Sequence, residues 1–350
     1  MKTVAFLIAH LGGGGAERVT VSVANYFCNH DYDVHLIIFS DKYNEYTVDK
    51  KIKKYYLDKS DKKLFDVIKK VHSLRNILDR IHPEYVCSLG FSYRFLFVGG
   101  LMSKYNFVLS ERNDPRQMYT NKIDMEIVKY CLRRAKHVVF QTKDAQNFFS
   151  KKIQEHSVVI PNPIKEDLIP AYHGKREKRV VAYSRLNYQK NIPMMLRAFK
   201  KFVSDHSEYV LEIYGRGEAE EELKHYTSEL GINDKVVFCG FQKNVHEKIS
   251  TAMCFLSTSD FEGISNSMLE SLAIGLPCIC TDCPVGGAAM FIHHGKNGFL
   301  TRVGNEDDVV KYLCEMADSE ELVNNMSIEA GKIRIELTMD RICGQWMELM

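Results

Sequence analysis

The clearest pattern in this 350-residue chain is the alternation of short, continuous apolar runs with longer amphipathic stretches. In the first half, the apolar runs are rich in β-branched residues and lie at 4–10, 34–39, 85–89, 107–110, 137–141 and 157–160. Strands that are buried on both faces of a parallel sheet have this pattern. Between them, apolar side chains recur at helical spacing over 15–29, 62–81 and 122–134. The alternation predicts a doubly wound α/β sheet.

A proline-containing, charged segment at 161–179 interrupts this rhythm and is typical of an interdomain linker. The alternation then restarts, with predicted strands at 180–184, 209–215, 235–240, 253–257 and 277–281. Predicted helices lie at 191–203, 217–230, 244–251 and 264–274, and the last fifty residues are also predicted to be helical. The length suits two cores better than one. We therefore predict two similar α/β domains, residues 1–165 and 166–337.

Charge is divided unevenly between the two halves, although the whole chain carries only +2. Residues 1–170 contain 27 Lys and Arg against 19 Asp and Glu, or +8, and the remainder has 20 against 26, or −6. The basic excess is concentrated at 42–80 and 122–152. We interpret it as a face for anionic lipid headgroups or for a diphosphate-linked lipid, and the alternative is a solvated, lysine-rich surface. Nucleic acid is not an expected partner, because no basic motif is interleaved with aromatic residues.

The ten cysteines lie mostly in apolar runs and lack the spacing of a secreted disulfide framework. No apolar run is long enough for a transmembrane helix, and the opening run is too short for a signal peptide. Cys280 and Cys283 formally make a C-x-x-C, but a zinc site needs a second ligand pair, so a strand-to-loop corner is the preferred interpretation. We expect free thiols in a reducing cytoplasm.

Four consecutive glycines follow the first predicted strand, in IAHLGGGGAERV (8–19), and a helix begins after them. Glycines let the backbone approach a ligand closely, and a helix N-terminus offers unpaired N–H groups to an anion. The full dinucleotide fingerprint is absent, because Arg18 stands where its third Gly belongs. We interpret this four-glycine loop as a ligand contact, and the alternative is a plain tight turn.

Two cations, Arg185 and Lys190, follow the first predicted strand of the second domain in YSRLNYQKNIPMML. Ligands of doubly wound sheets bind at the carboxyl ends of strands. Arg can hold two phosphate oxygens and Lys supplies a compact charge, so the pair suits a diphosphate. Two solvated surface cations are the alternative.

Two glutamates stand eight positions apart in DFEGISNSMLESLAIG. Glu262 precedes a predicted helix, and Glu270 lies within it among apolar residues. A regular helix would separate them by about 12 Å along its axis and offset them by near 80°, but an irregular first turn would let both line one ligand-facing side. Carboxylates hold ribose hydroxyls, and the helix start at Ile264, Ser265 and Asn266 would face phosphate oxygens. Two surface glutamates, the first supported by the helix dipole, are the alternative.

Together these segments resemble the retaining family-4 glycosyltransferases. The run E-G-x-x-N-x-x-L-E followed by A-x-G-x-P is similar to their E-x7-E signature, and SRLNYQKN is similar to their diphosphate clamp. GGAERV, SERNDP, TDCPVGG and HGKNGFL resemble members that build capsules, O-antigens, exopolysaccharides or protein-glycan precursors. The resemblance covers nearly the whole chain. It implies the GT-B fold, in which two Rossmann-like domains face each other across a cleft and a final helix, here 338–350, crosses back to the first domain.

The resemblance also implies roles for individual residues. Arg185 and Lys190 would hold the diphosphate and stabilise the leaving nucleoside diphosphate. Glu262 would contact the donor sugar near its 3- and 4-hydroxyls, and Glu270 would bind the ribose hydroxyls. The predicted catalytic residues are Glu262, Arg185 and Lys190. The rest of the predicted donor-binding set comprises the glycine loop, the backbone near the base and the loop after Glu262: Gly14, Gly15, Gly240, Phe241, Gly263, Ile264, Ser265 and Asn266.

The acceptor is expected mainly in the first domain. His10, Glu111 and Asn113 end predicted strands there, and with Arg112 they form the predicted acceptor-binding set. The expected reaction transfers a hexose or N-acetylhexosamine from a nucleotide-sugar, most simply a UDP-sugar, to a saccharide hydroxyl. The expected acceptor is linked to a polyprenyl diphosphate, and the enzyme would lie peripherally at the inner face of the cytoplasmic membrane.

Charge stabilisation of the leaving group is the main chemical requirement of this reaction. Arg185, Lys190 and the helix start at 264–266 suit that task, so we predict a metal-independent enzyme without a cofactor. For retention we predict front-face attack by the acceptor hydroxyl without a covalent intermediate. Two other classes compete: a nucleotide-sugar epimerase of the same double plan, and a non-catalytic nucleotide-sugar-binding protein.

Overall fold

The structure is a computed structural model that describes residues 2–41, 45–57, 63–90 and 92–350, without the side chains of 63–65. Part of the basic segment 42–80 therefore lies outside the described residues. The chain divides into two compact units, one formed by residues 1–163 with 339–350 and the other by 164–338.

The first unit is built on a parallel sheet with the strand order β3-β2-β1-β4-β5-β6-β7. Its strands are β1 Thr3–Ile8, β2 Asp33–Ile38, β3 Lys53–Tyr56, β4 Tyr85–Leu89, β5 Phe107–Glu111, β6 His137–Phe140 and β7 Ser157–Val159. Its helices are α1 Gly15–Asn29, α2 Lys63–Ile81, α3 Tyr93–Val98, α4 Pro115–Met118, α5 Lys122–Arg134, α6 Lys143–Asn147 and α7 Lys151–Gln154. The order reverses at β1, as in a doubly wound sheet.

The second unit repeats the plan with the parallel strand order β10-β9-β8-β11-β12-β13. Its strands are β8 Glu177–Tyr183, β9 Val210–Tyr214, β10 Val236–Gly240, β11 Ala252–Ser257, β12 Cys278–Thr281 and β13 Gly298–Thr301. Its helices are α8 Ile192–Asp205, α9 Glu220–Glu229, α10 Val245–Ile249, α11 Asn266–Ala273, α12 Glu306–Ala317, α13 Glu320–Gly331 and α14 Ile333–Glu336. Here the order reverses at β8. The loops that follow the two neighbouring strands β8 and β11 therefore diverge from each other.

The last helix, α15 Met339–Glu348, belongs to the first unit, where it packs against α1. Trp346 is fully buried in this helix, together with Ile342 and Cys343. The Lys2 ammonium donates a hydrogen bond to the carbonyl of Met350 over 2.5 Å. Burial of an indole ring is a large apolar contribution, so α15 is part of the core of this unit.

The predicted doubly wound α/β architecture is confirmed in both units. The strands predicted from apolar runs are buried; in β1, for example, Val4 to Leu7 have no solvent exposure. Two strands were not predicted. β3 is a charged edge strand, which needs no apolar run, and β13 starts at Gly298, where a side chain would strike the carbonyl oxygen of Cys278 on β12.

Candidate active site

A salt bridge between Lys190 and Glu262 lies at the centre of the site in the second unit. Lys190 follows β8, Glu262 follows β11, and the Lys190 ammonium donates to Glu262 Oε1. The side chains are only 15% and 18% exposed, so the pair is shielded from water and from screening ions. Gln189 Nε2 donates to Glu262 Oε2 over 3.3 Å and to the carbonyl of Phe261 over 2.8 Å. Two residues that the sequence assigned to different parts of the donor are thus direct neighbours.

Hydrogen bonds join the two loops that carry this salt bridge. The Asp260 N–H donates to the carbonyl of Gln189 over 3.0 Å, and Asn191 Nδ2 donates to Asp260 Oδ1 over 2.7 Å. The Thr258 hydroxyl donates to the carbonyl of Lys190 over 3.1 Å. Asn191 has a φ of 43° and caps α8 with its side chain, a left-handed position that Asn tolerates well. The loops therefore hold Lys190 and Glu262 in one fixed geometry.

Arg185 lies on the same loop after β8, and its side chain is exposed. The loop packs backbone to backbone against the turn after β9: a Cβ on Gly215 would lie 1.9 Å from the carbonyl oxygen of Ser184. In that turn, the Arg216 guanidinium stacks on the exposed ring of Phe241, 5.0 Å from its centroid. Gly240 precedes this ring with a φ of 63°, which a glycine adopts readily. A cation and an aromatic face suit a planar, anionic ligand such as a nucleotide.

Glu270 is bound by a histidine that the sequence analysis did not identify. His246 Nε2 lies 2.7 Å from Glu270 Oε2, and the two side chains are 12% and 6% exposed. His246 belongs to α10 and Glu270 to α11. The carboxylate predicted to bind ribose is therefore inside the protein, not on its surface, and it is held by an imidazole.

The helix predicted from residue 264 begins at Asn266 in the structure. Ser265 is its N-cap, and its hydroxyl accepts from the Met268 N–H over 3.3 Å. Ile264 is buried and Gly263 is too. Glu262 thus stands outside the helix, so the helical offset calculated between the two glutamates does not apply.

A small cavity of about 10 Å³ adjoins Glu262. Its wall includes Ser259, Gly263, Ser265 and Cys283. This volume is close to the minimum that holds one water molecule. Cys283 donates to the carbonyl of Ser259 over 3.0 Å, and burial raises the pKa of its thiol to about 12. Cys283 is therefore a neutral structural thiol, in keeping with the strand-to-loop corner predicted for the C-x-x-C.

The glycine loop of the first unit lies beside two carboxylates. Gly14 is the N-cap of α1, and a Cβ there would lie 1.8 Å from Glu17 Oε2, so the Glu17 side chain covers it. The N–H of Gly13 donates to Glu45 Oε2 over 3.1 Å. His10 Nε2 lies 3.9 Å from Glu17 Oε1. The protein's own carboxylates thus lie beside the start of α1, where a helix N-terminus favours negative charge, and Gly15 is exposed next to them. The ligand contact of Gly14 and Gly15 stays a prediction.

Glu111 ends β5 as a buried carboxylate. The Tyr119 hydroxyl donates to its Oε2 over 2.9 Å, and the Arg112 N–H donates to its Oε1 over 3.0 Å. Burial raises the pKa of Glu111 to about 7 despite these donors. Asn113 uses its side chain locally, accepting from the Asp114 N–H over 2.9 Å.

Arg112 joins the ends of three neighbouring segments of the first unit. Its guanidinium donates to Asn162 Oδ1, which also accepts from Gln141 Nε2 over 2.7 Å. Gly90 gives it room, since a Cβ there would lie 2.8 Å from Arg112 Cγ. Burial lowers the pKa of Arg112 to about 10. The four predicted acceptor residues therefore form two local groups: His10 beside Glu17, and Glu111 to Asn113 around the end of β5.

Within the described ranges, no three His, Cys, Asp or Glu side chains are grouped to hold a metal ion. Among the same residues, no helix combines the length and the apolar character needed to cross a membrane. The site residues that sequence reasoning missed are Gln189, His246 and Glu17. His246 stood in a predicted helix without a chemical motif. Gln189 belongs to SRLNYQKN and Glu17 to GGAERV, and these two motifs could have identified them.

Two family descriptions match adjoining parts of the chain. Residues 13–168 match "Glycosyltransferase Family 4" and residues 165–333 match "Glycosyl transferases group 1". With the two parallel-sheet units, these matches define an enzyme of the GT-B class. The chain belongs to the GT-B glycosyltransferases of the family-4 type. The resemblance noted in the sequence, the GT-B fold and the enzyme class are thereby confirmed.

Similarity to individual relatives extends over most or all of the chain. An uncharacterized glycosyltransferase of Haemophilus influenzae is 25% identical over 367 residues, covering 100% of both chains. The N-acetylgalactosamine-N,N′-diacetylbacillosaminyl-diphospho-undecaprenol 4-alpha-N-acetylgalactosaminyltransferase of Campylobacter jejuni is 27% identical over 92% of both. The structure of Anabaena Alr3699/HepE in complex with UDP-glucose superimposes with a TM-score of 0.84 at 16% identity, over 99% of both chains. At that identity, the superposition shows a shared fold.

Proposed function

We propose that this glycosyltransferase moves a hexose or N-acetylhexosamine from a UDP-sugar to a saccharide hydroxyl, with retention of anomeric configuration, during assembly of a cell-surface polysaccharide or glycan. The observation that carries the proposal is two shielded pairs in the second unit, Lys190 with Glu262 and His246 with Glu270, on segments that follow parallel strands of its sheet. The fold shared with a protein that binds UDP-glucose supports uracil as the base of the donor. The named activity of the Campylobacter relative supports an acceptor linked to a polyprenyl diphosphate.

The charges at this site suit departure of a nucleoside diphosphate. Arg185 and Lys190 meet the negative charge that develops on the leaving diphosphate as the bond from the sugar C1 to phosphate oxygen breaks. The acceptor oxygen bonds to C1 from the same face, and its proton passes to the leaving phosphate oxygen. Glu262, fixed by Lys190 and Gln189, accepts hydrogen bonds from the sugar hydroxyls. Glu270 accepts hydrogen bonds from the ribose.

The first unit offers features that suit a lipid-linked acceptor at a membrane surface. Four exposed apolar side chains lie on two helices of this unit, and we refer to them as the apolar patch: Val67 and Ile68 on α2, and Phe97 and Val98 on α3. The two helices pack together: Arg75 on α2 donates to the carbonyl of Gly99, next to the end of α3, over 2.7 Å. The patch lies in the half of the sequence that carries +8. Apolar side chains with a basic surround are typical of peripheral membrane proteins, so we place the enzyme at the inner face of the cytoplasmic membrane.

A thermal-shift panel tests the donor site. Wild type, Glu270→Ala and the control Glu321→Ala, an exposed glutamate on α13, are heated with UDP, GDP, CDP and ADP and with their sugar conjugates. A ligand at ~100 times its dissociation constant adds about 2.7 kcal/mol of stability. We expect a rise with UDP and UDP-sugars that Glu321→Ala keeps and Glu270→Ala loses. A flat response to every nucleotide in wild type would reject the proposal.

A transfer assay then distinguishes the enzyme from its competitors. The donor identified by thermal shift is incubated with and without a polyprenyl-diphosphate-linked saccharide, and the anomeric proton of the product is followed by NMR. We expect an α-linked product from an α-linked donor, only with acceptor. Interconversion of the donor sugar without acceptor would indicate an epimerase. A β-linked product would exclude retention.

A further inference from the structure

We propose that His246 is a positioning residue for the donor: it orients the Glu270 carboxylate so that Glu270 can accept hydrogen bonds from the ribose hydroxyls. The inference rests on the proposed function, because it assigns His246 to the same nucleotide site. His246 lies outside the E-x7-E segment and outside the cationic loop after β8, so neither motif identifies it.

The contact between the two side chains is short and shielded. His246 Nε2 lies 2.7 Å from Glu270 Oε2, with exposures of 12% and 6%. With its ring proton on Nε2, His246 donates this hydrogen bond and the Glu270 carboxylate accepts it. Hydrogen bonds to a charged group at this distance are among the stronger ones in proteins. The oxygen Oε2 is therefore held in one direction, and this fixes the plane of the carboxylate and the direction of Oε1.

The surroundings make His246 a rigid support. Tyr183, at the end of β8, places its ring edge-on to the imidazole, with centroids 5.7 Å apart at 89°. The Tyr183 hydroxyl donates to the carbonyl of Ser267, in the first turn of α11, over 2.6 Å. Val245 and Ile249 anchor α10 in the interior. Three elements, β8, α10 and α11, thus fix the imidazole relative to Glu270.

Without such a support, a glutamate side chain populates several rotamers. Ordering a long polar side chain in one rotamer costs conformational entropy. In this protein the side-chain entropy of Glu270 is lost on folding, because His246 holds the carboxylate before the nucleotide binds. Preorganised acceptors bind a diol more tightly than mobile ones. The part of the affinity that depends on the ribose hydroxyls should therefore depend on His246.

Calorimetric titration with UDP and 2′-deoxy-UDP isolates that part. Wild type should prefer UDP by at least about tenfold, the value of one hydrogen bond to a charged group. His246→Leu should lose most of its affinity for UDP and little for 2′-deoxy-UDP, so that the preference falls to within about twofold. His246→Gln, which keeps an N–H donor of similar reach, should retain a clear preference.

A second histidine–glutamate pair provides the control. His225 Nε2 lies 3.2 Å from Glu229 Oε1 on the surface of α9, and its side chain is 77% exposed. His225→Leu should leave both affinities unchanged. Circular dichroism and thermal unfolding establish that each variant is folded before it is titrated.

The outcomes separate the inference from the proposed function. If wild type binds no uridine nucleotide, the proposed function fails and the inference fails with it. If wild type prefers UDP and His246→Leu prefers it equally, or weakens both ligands by the same factor, the positioning role is wrong while the donor site stands. A preference that persists in Glu270→Ala would also overturn the inference.

Discussion

In the second unit, the Lys190 ammonium forms a salt bridge with the site carboxylate of Glu262. Replacing Lys190 with Ala removes a positive charge that would neutralise the leaving diphosphate. It also leaves the Glu262 carboxylate shielded from water without its cation. We expect kcat/KM for sugar transfer to fall by about 10²–10³, the range seen when one transition-state donor is removed. Steady-state kinetics with the donor identified by thermal shift measures the loss.

Lys200→Ala is the matched control for Lys190→Ala, because Lys200 is an exposed cation on α8. Its kcat/KM should stay within about twofold of wild type, as for most exposed surface changes. A Lys190→Ala enzyme as active as Lys200→Ala would show that the diphosphate is neutralised by other groups.

Glu111 gives the first unit a specific pH dependence. Burial raises its pKa from the ordinary 4.5 to about 7, so between these values the folded protein holds a proton that the unfolded chain has lost. Stability therefore falls as pH rises from about 4.5 to 7, by on the order of 3 kcal/mol in total, and is constant in this respect outside that window. Glu111→Gln cannot ionise and should lack this fall.

The single tryptophan makes this prediction measurable. Trp346 is buried in α15, so its fluorescence reports unfolding of the first unit. Urea unfolding at pH 5, 6, 7 and 8 should show wild type losing stability relative to Glu111→Gln between pH 5 and 7, with little further loss at pH 8. Curves that stay parallel would mean that Glu111 ionises normally in the folded protein.

At the scale of elements, glycine contacts determine how closely the loops around Glu262 approach. A Cβ on Gly287 would lie 1.7 Å from the carbonyl oxygen of Gly263, a backbone atom that cannot rotate away. Gly287→Ala must displace the segment after β12 or the loop that carries Glu262. We expect a loss of about 1–3 kcal/mol in stability, as in overpacked sites, together with weaker donor binding.

Gly344→Ala is the control for Gly287→Ala. Gly344 lies within α15, and nothing stands within 4 Å of a Cβ built there. Alanine should stabilise this helix by roughly 0.5–1 kcal/mol. Thermal unfolding and UDP titration of both variants make the comparison. Normal donor affinity in Gly287→Ala would show that the two loops can separate without disturbing Glu262.

The elements that the sequence predicted well are those whose pattern follows from burial alone. Continuous apolar runs identified β1 and β11 because both faces of a central parallel strand are covered. The edge strand β3, Lys53–Tyr56, carries charge and lacked that signal. Short helices such as α3 are too brief for helical periodicity to be recognised.

The candidate site was predictable as residue types but not as contacts. Arg185, Lys190, Glu262 and Glu270 were identified from motif and position. The salt bridge between Lys190 and Glu262 could not be predicted, because the two residues are 72 positions apart and meet only when β8 and β11 become neighbours. His246 gave no signal, since a histidine in a polar five-residue helix looks like any surface residue.

At the scale of the whole molecule, the uneven charge suggests which part meets a membrane. Residues 1–170 carry +8 and the remainder −6, and the apolar patch Val67, Ile68, Phe97 and Val98 lies in the basic part. Each basic residue near an anionic surface contributes about 1 kcal/mol, and burial of one aliphatic side chain contributes about 1.5–3 kcal/mol. Neither term alone holds a protein firmly, but together they would support reversible binding.

Vesicle co-sedimentation tests this combination. We expect binding to vesicles containing phosphatidylglycerol, little binding to pure phosphatidylcholine, and weaker binding as salt rises, because exposed charges are screened. The double variant Ile68→Ser/Val98→Ser should bind anionic vesicles at least about tenfold less tightly. Ile328→Ser, which removes an exposed apolar side chain from α13 of the second unit, should bind like wild type. Equal losses in both variants would place the membrane contact outside the patch, and binding that ignores lipid charge would exclude the basic part as its cause.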